Sequence, residues 1–174
     1  RGVLPPCEAP GTQSRPAEPK NDNAMDQEKR GGGSVEKSRI LVGDDEPGIV
    51  DIAKANLEGY GDSVIAAYDG SEALRLVKSD KPDLVVSGLT NGPNRGRDPR
   101  YSGTVAAATE VFLFAIPAMA VSQGTYGWAN IDAAARLARD IVLRRFEQLA
   151  QPFLLNVNIP NLPYEQLTSV VATR

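Results

Sequence analysis

The feature that most constrains this chain is a regular alternation of short β-rich runs and helical patterns that begins at Ser38. The predicted strands cover 39–43, 63–68, 83–87, 118–122 and 153–159, and the predicted helices begin after Asp45 and cover 71–78, 103–114 and 130–150. Ala73, Leu74 and Val77 are expected to point inward from the helix over 71–78. Short connections between such elements are typical of parallel neighbours covered by helices. The pattern therefore predicts an α/β fold: a doubly wound, mostly parallel sheet of about five strands with helices on both faces, in a Rossmann-like or flavodoxin-like three-layer sandwich.

Residues 1–37 differ from the rest in composition. They combine prolines and many charges with no aromatic side chain, and they lead into Gly31-Gly-Gly-Ser34. A segment of this kind buries too little apolar surface to offset the entropy of ordering it. We therefore expect a disordered arm and Gly-rich linker over 1–37 and a single α/β domain over 38–174. The sequence shows neither a signal-peptide apolar region nor an uninterrupted apolar run of membrane length, which predicts a cytoplasmic protein outside the membrane.

Charge and residue types narrow the chemistry that such a domain can perform. Nineteen Lys and Arg against 22 Asp and Glu give a net charge of -3, which provides no electrostatic footprint for DNA or for an anionic membrane. The chain has no histidine and one cysteine, so the usual general base and the usual zinc ligands are missing. Any chemistry must use carboxylates, hydroxyls, amides and a hard cation.

Two loops follow strand ends at the edge where open α/β sheets bind ligands. The first is Asp44-Asp45-Glu46, after the first strand. Adjacent carboxylates repel one another and need a cation, a basic partner or water, and Mg²⁺ or Mn²⁺ suits oxygen ligands. Alternatively, one acid such as Asp45 caps the following helix while the others are solvated, and the triplet taken alone favours this second interpretation.

The second loop, 88–102, follows the third strand and is rich in Gly and Asn. Asn91 and Asn94 supply amide groups, and Ser102-Gly103-Thr104 opens a helix whose free N–H groups suit a phosphate. An ordinary surface loop can have the same composition. Opposite an acidic triplet, however, the loop predicts a combined metal and phosphate site, with one ion in reach of both the Asp45 carboxylate and the Asn94 amide.

Aromatic residues also lie near this edge, at Tyr126 and Trp128, just before the helix that begins at Asn130. Aromatic side chains at such a place usually pack under a turn, which is the role we expect for them. Stacking on a base is the alternative.

The first of two family resemblances lies in residues 38–86. Its motifs are Arg39-Ile-Leu-Val-Gly-Asp-Asp-Glu-Pro-Gly48, Ala67-Tyr-Asp-Gly-Ser-Glu-Ala-Leu74 and Lys81-Pro-Asp-Leu-Val-Val86. This segment resembles the first half of a response-regulator receiver domain, a magnesium-binding signalling module. Gly88 stands where a receiver carries its phospho-accepting Asp, so the resemblance does not imply aspartyl phosphorylation.

The second resemblance covers residues 82–173. Its motifs are Pro82-Asp-Leu-Val-Val-Ser-Gly88, Gly92-Pro-Asn94, Tyr101-Ser-Gly-Thr-Val-Ala-Ala-Ala108, Ile116-Pro-Ala118 and Leu155-Asn-Val-Asn-Ile-Pro-Asn-Leu-Pro163. They closely resemble the SurE survival-protein family, which implies a 5'-nucleotidase type of enzyme, a phosphomonoester hydrolase that needs Mg²⁺ or Mn²⁺ and acts on nucleoside monophosphates. The two resemblances meet at 82–86, so the chain looks like a chimera of two α/β halves.

The SurE resemblance also implies roles for individual residues. The family's Asn-Asp-Asp falls on Asp44-Asp45-Glu46, which implies Asp45 and Asp44 as catalytic residues; the implied metal ligands are Asp44, Asp45, Glu46, Thr90 and Asn91. Thr90 stands where the family has an Asn, and Asn91 is adjacent. The implied phosphate and substrate ligands are Asn94, Ser102, Gly103 and Thr104. Asp45 is the position that both family patterns assign to the metal.

We therefore expect a SurE-like phosphatase, impaired by the altered ligands. The alternatives are a receiver-like magnesium-binding module without its phospho-acceptor and an inactive or engineered α/β scaffold. The C-terminal extension through which SurE proteins are expected to associate is missing or truncated here, so homo-oligomerisation stays open.

Overall fold

The computed structural model describes residues 38–59, 61–96, 98–145 and 152–172. Every described residue belongs to one compact unit, Glu36–Arg174. The disordered arm and linker predicted for 1–37 lie outside the described residues.

Five strands and four α-helices alternate along the described residues. They are β1 (Arg39–Gly43), α1 (Pro47–Glu58), β2 (Ser63–Ala67), α2 (Gly70–Asp80), β3 (Leu84–Thr90), α3 (Gly103–Leu113), β4 (Ala118–Gln123), α4 (Ile131–Arg145) and β5 (Leu154–Ile159). Short 3-10 helices cover Asp98–Tyr101 and Tyr164–Gln166. The predicted extension of the last helix over 146–150 lies outside the described residues. Among the helices that the structure describes, none has the length and apolar character needed to span a bilayer.

All five strands are parallel and pair in the order β2-β1-β3-β4-β5. The predicted doubly wound α/β fold is confirmed, and the order is that of flavodoxin-like sheets. Apolar residues of α1 and α4 cover one face of the sheet and those of α2 and α3 cover the other. The sheet is therefore covered on both sides, which explains why β3 and β4 are buried along nearly their whole length.

Two local predictions are wrong. Leu74 was expected to point inward from α2 but is exposed, because Val77 and the partly buried Leu76 make the contact with the sheet instead. Asp45 was expected as a candidate cap of α1, but the N-cap residue is Glu46, whose side chain makes no capping hydrogen bond. Pro47 begins the helix, at a position where its missing N–H costs nothing.

The strand order places the topological switch point between β1 and β3. From β1 the chain moves outward to β2 and then returns to β3 on the other side. Gly43, the last residue of β1, is the register partner of Ser87, and β3 continues beyond this pair to Thr90. The loops after β1 and β3 therefore leave the same edge of the sheet from neighbouring strands, with the β3 loop beginning three residues farther along.

Candidate functional site

The acidic triplet follows β1 directly, at the switch point. Asp44 is half-buried, while Asp45 and Glu46 are exposed. The Asp44 amide donates to the Ala67 carbonyl at 3.2 Å, and Asp44 Oδ1 accepts from the Glu46 amide at 3.0 Å. These bonds fix the turn between β1 and α1 and leave the other two carboxylates facing solvent.

Burial raises the pKa of the Asp44 carboxyl above its ordinary value. The hydrogen bond from the Glu46 amide opposes this rise, and repulsion from the Asp45 and Glu46 carboxylates adds to it. The negative charge of Asp44 is thus poorly accommodated in the protein by itself. A positive charge placed nearby would relieve the repulsion among the three acids.

The chemistry of these donors fits a hard cation, although their number is small. Carboxylate oxygens are the ligands that Mg²⁺ prefers, and that ion usually retains several waters. Within the part of the chain that the structure describes, no three Asp, Glu, Cys or His side chains converge into a metal-binding group. The three acids are consecutive in sequence, but their side chains do not form a closed cage. The residues present fit a divalent ion held by few protein oxygens and largely by water.

Gly88, in β3, explains why the receiver's phospho-acceptor has no place here. Its φ is +103°, and a Cβ on it would come 2.3 Å from the Val121 carbonyl oxygen and 3.1 Å from Thr104 Cγ2. The pairing of β3 with β4 shifts register between Ser87 and Thr90, which is where this close approach occurs. A side chain at position 88 would collide with the backbone of β4, so glycine is required for the sheet to close.

The end of β3 is joined to the start of α3 by a pair of threonines. The hydroxyls of Thr90 and Thr104 are hydrogen-bonded to each other. Ser102 is the N-cap of α3, as the sequence predicted, and its Oγ accepts from the Val105 amide at 3.2 Å. The first turn of α3, with Gly103 and Thr104, therefore lies against the last residues of β3.

Asn94 is buried and is anchored to the two strands beyond β3. Its Nδ2 donates to Ser122 Oγ at 2.6 Å. Its backbone amide donates to Asn158 Oδ1 at 2.7 Å, and its carbonyl accepts from Asn156 Nδ2 at 2.8 Å and from Asn158 Nδ2 at 3.1 Å. These bonds hold the β3–α3 loop over β4 and β5.

Sequence reasoning gave no role to Ser122, Asn156 or Asn158. The alternation in Leu154-Leu-Asn-Val-Asn-Ile159 was the available signal, because residues two apart in a strand share a face. Two amides on one face of an otherwise apolar strand indicate a polar segment packed above it.

The remaining loop residues are held by the β4–α4 connection. Asn91 Oδ1 accepts from the Gly127 amide at 2.7 Å, and Arg95 Nη2 donates to the Gly124 carbonyl at 2.8 Å. The expectation that Tyr126 packs under a turn is wrong, because this side chain is 80% exposed; Trp128 is 46% exposed.

The structure thus places the predicted site residues in three groups on one edge of the sheet. The acids at 44–46 follow β1, whereas Thr90, Ser102, Gly103 and Thr104 gather where β3 meets α3. Asn91 and Asn94 lie farther along the same loop and are bonded to the β4–α4 connection and to β4 and β5. The single ion shared by Asp45 and Asn94 stays a prediction.

Comparison with known proteins gives a family match that includes β2 to β5 and leaves out β1 and the acids at 44–46. The family model for survival protein SurE matches residues 62–174. The match begins upstream of residue 82, where the sequence motifs begin, and so includes β2 and α2. The crystal structure of SurE protein from Aquifex aeolicus is 27% identical and aligns with a TM-score of 0.65 over 74% of this chain and 68% of that chain.

Two receiver domains are also among the similar solved structures. One, a CheY-like protein from Methanospirillum hungatei JF-1, is 16% identical with a TM-score of 0.41 over 70% of this chain and 82% of that chain. The other, from Clostridium thermocellum, is 21% identical with a TM-score of 0.41 over 69% of this chain and 81% of that chain. A chimeric origin stays a prediction. The SurE model, by contrast, accounts for most of the sequence and for β3, α3, β4 and β5, which carry the loops described above, and the chain therefore belongs to the SurE survival-protein family.

Proposed function

We propose that this chain is a divalent-metal-dependent phosphatase that hydrolyses nucleoside monophosphates. The observation that supports this most is the position of Ser102, Gly103 and Thr104 at the start of α3, against the end of β3 and beside the strand that carries the acids. A phosphate bound there and a cation bound at the acids would be neighbours. The SurE family is generally dependent on divalent metals, which agrees with this pairing of sites.

Ser102 is suited to a phosphate because its hydroxyl has a donor to spare. Its oxygen accepts from the Val105 amide, which leaves the O–H free to donate to a phosphate oxygen. The first amides of a helix have no intrahelical acceptor, and those of Gly103 and Thr104 belong to this set. Together with the positive end of the helix dipole they favour a bound anion.

The exposed carboxylates of Asp45 and Glu46 would hold the cation, with Asp44 behind them. A divalent ion bound there would polarise the phosphoryl group and offset charge as the ester bond breaks. Thr90 and Asn91, implied as further metal ligands, already use their side-chain oxygens, toward Thr104 and Gly127 respectively. Few protein ligands then remain for the ion, which supports weak metal binding and low activity.

The rival function is a receiver-like module, and Gly88 argues against it. A phospho-accepting side chain at this position would collide with the Val121 carbonyl. A scaffold with a weak cation site but no turnover is the other alternative, and it differs from the proposal in the outcome of a direct assay.

The test is release of inorganic phosphate from AMP and GMP by the full chain, with and without Mn²⁺ or Mg²⁺. We expect metal-dependent release that falls by more than about 100-fold in Asp45→Asn, since changes even to outer partners of metal ligands cost about 10- to 100-fold. Glu110→Gln makes the same chemical change at an exposed site of α3 and should have no effect.

Two results would reject the proposal. One is phosphate release that is independent of metal or unchanged in Asp45→Asn. The other is absence of release by a chain that still unfolds cooperatively, which would leave the scaffold. Labelling by acetyl phosphate without turnover would favour the receiver.

A further inference from the structure

Three exposed aromatic side chains follow the ends of β3 and β4. Tyr101 immediately precedes Ser102, and Tyr126 and Trp128 lie in the β4–α4 connection. Tyr126 is the one whose surroundings are most closely defined. Its side chain is 80% exposed, although removing the apolar faces of a Tyr ring from water is favourable. An aromatic ring held at the surface is available to a ligand.

The Tyr126 ring rests on the backbone of Gly92. A Cβ added to Gly92 would come 2.7 Å from Tyr126 Cε1 and 3.1 Å from Cζ, and the φ of Gly92 is +146°. Gly92 is itself buried, so the ring covers it. Any side chain at position 92 would displace the ring. The contact between the two loops therefore requires glycine at this position.

The turn that carries Tyr126 is also fixed by hydrogen bonding. The next residue, Gly127, donates its amide to Asn91 Oδ1 at 2.7 Å and has a φ of +128°. A Cβ on Gly127 would come 2.8 Å from Asn161 Nδ2, so this partly buried residue also contacts the segment after β5. The ring thus sits on a platform made by two loops, and little conformational entropy remains to be lost when a ligand stacks on it.

This platform is close to the start of α3. The Gly92 amide donates to the Thr90 carbonyl at 3.1 Å, and the Thr90 hydroxyl is bonded to that of Thr104 in the first turn of α3. Consecutive Cα atoms are about 3.8 Å apart, so the Cα atoms of Gly92 and Thr90 lie within about 7.6 Å of each other. A ligand with its phosphate at the start of α3 would need to extend only a short distance to reach the ring.

We propose that the exposed face of Tyr126 stacks on the base of the nucleotide whose phosphate is bound at Ser102, Gly103 and Thr104. This inference rests on the proposed function and names the residue that distinguishes nucleotides from phosphate esters without a base. Every nucleobase has a π face, so stacking selects for the presence of a base more than for its identity. The phenolic hydroxyl is not needed for such a contact.

The test is equilibrium binding of AMP and of ribose 5-phosphate to the full chain by calorimetry, with EDTA present so that no metal-dependent hydrolysis consumes the ligand. Ribose 5-phosphate has the sugar and the phosphate but no base. We expect Tyr126→Ala to weaken AMP binding by about 5- to 10-fold, at the low end of what removal of an aromatic partner costs a stacked base, because only one face is covered. Ribose 5-phosphate should bind the original chain and Tyr126→Ala with equal affinity.

Three further variants separate stacking from structural effects. Tyr126→Phe keeps the ring and should retain AMP affinity, whereas Tyr126→Leu keeps an apolar cover over Gly92 without a π face and should lose as much as Tyr126→Ala. Phe114→Ala removes another half-exposed aromatic, at the C-terminal end of α3 and hence at the opposite edge of the sheet, and should change neither affinity.

The inference is overturned if Tyr126→Ala and Tyr126→Leu leave AMP binding unchanged, if they weaken both ligands equally, or if the unaltered chain does not bind AMP. Metal-dependent phosphate release from AMP that is insensitive to Tyr126 would support the proposed function and reject the stacking. AMP binding that depends on Tyr126, without any phosphate release, would support the stacking and reject the proposed function.

Discussion

Replacing Gly88 with alanine tests the geometry on which the candidate site depends. This position has a φ of +103°, and the new methyl group would lie 2.3 Å from the Val121 carbonyl oxygen. That oxygen belongs to the backbone of β4, so no side-chain rotation relieves the clash. Either β4 moves away from β3 or the backbone of residue 88 changes its conformation. Both adjustments disturb the junction between Thr90 and Thr104.

The expected loss can be estimated from two contributions. Holding a residue with a Cβ in a sparsely populated backbone region costs about 1–3 kcal/mol. Overpacking of a tightly packed interior costs about 1–3 kcal/mol more. The sum, about 2–6 kcal/mol, is a large share of the roughly 5–15 kcal/mol by which a domain is usually stable. We therefore expect Gly88→Ala to be severely destabilised.

Urea unfolding followed by circular dichroism measures this loss as a lower midpoint with an unchanged slope. Gly48→Ala in α1 is the matched control, because a Cβ there meets nothing within 4 Å and its φ is ordinary. It should leave stability unchanged or raise it by up to about 1 kcal/mol. If Gly88→Ala lost less than about 1 kcal/mol, or behaved like Gly48→Ala, the close approach of β3 and β4 would be refuted.

Three other predictions concern caps, charge and the anchoring of the loop. Ser102→Ala removes the cap of α3, whose Oγ accepts from the Val105 amide at 3.2 Å, and Asp69→Ala removes the cap of α2, whose Oδ1 accepts from the Glu72 amide at 2.8 Å. Each variant should lower the free energy of unfolding by about 1 kcal/mol, but only Ser102→Ala should reduce phosphate release. Equal loss of activity in both variants would contradict a role of Ser102 in phosphate binding. Because the pKa of the Asp44 carboxyl is raised in the folded protein, this group favours folding at low pH, and its contribution is lost as pH rises from the unfolded pKa through the folded one. Asp44→Asn keeps the acceptor for the Glu46 amide and should therefore be more stable than the original chain at about pH 7 but lose this advantage near about pH 4. A stability difference that stays constant across this range would contradict the raised pKa. Asn158→Ala removes one hydrogen-bond partner from the backbone amide of Asn94 and one from its carbonyl. The free energy of unfolding, measured with heat or urea, should fall by about 1–3 kcal/mol. A fall of less than about 0.5 kcal/mol would show that Asn158 of β5 does not anchor the loop.

The order of the strands and helices could be predicted from local pattern. Helices and buried strands reveal themselves by apolar periodicity over a few residues, and the observed bounds differ from the predicted ones by at most three residues wherever the structure describes them. Ser102 was readable as the beginning of α3 for the same reason, because a cap bonds to an amide only three residues away. Leu74 and Asp45 show the limit of such reasoning, because Leu74 is exposed on α2 and the N-cap of α1 is Glu46.

Sequence by itself determined the α/β class, the likeness to SurE and the residues that follow β1 and β3. Only the tertiary structure decided the strand order β2-β1-β3-β4-β5, and with it which loops are neighbours. Asn94 is bonded to a residue 64 positions away, Gly88 faces Val121, and Tyr126 lies on Gly92. The physical reason is that these contacts depend on how distant strands pair and where their ends meet, whereas hydrophobic periodicity records only which face of each element is buried.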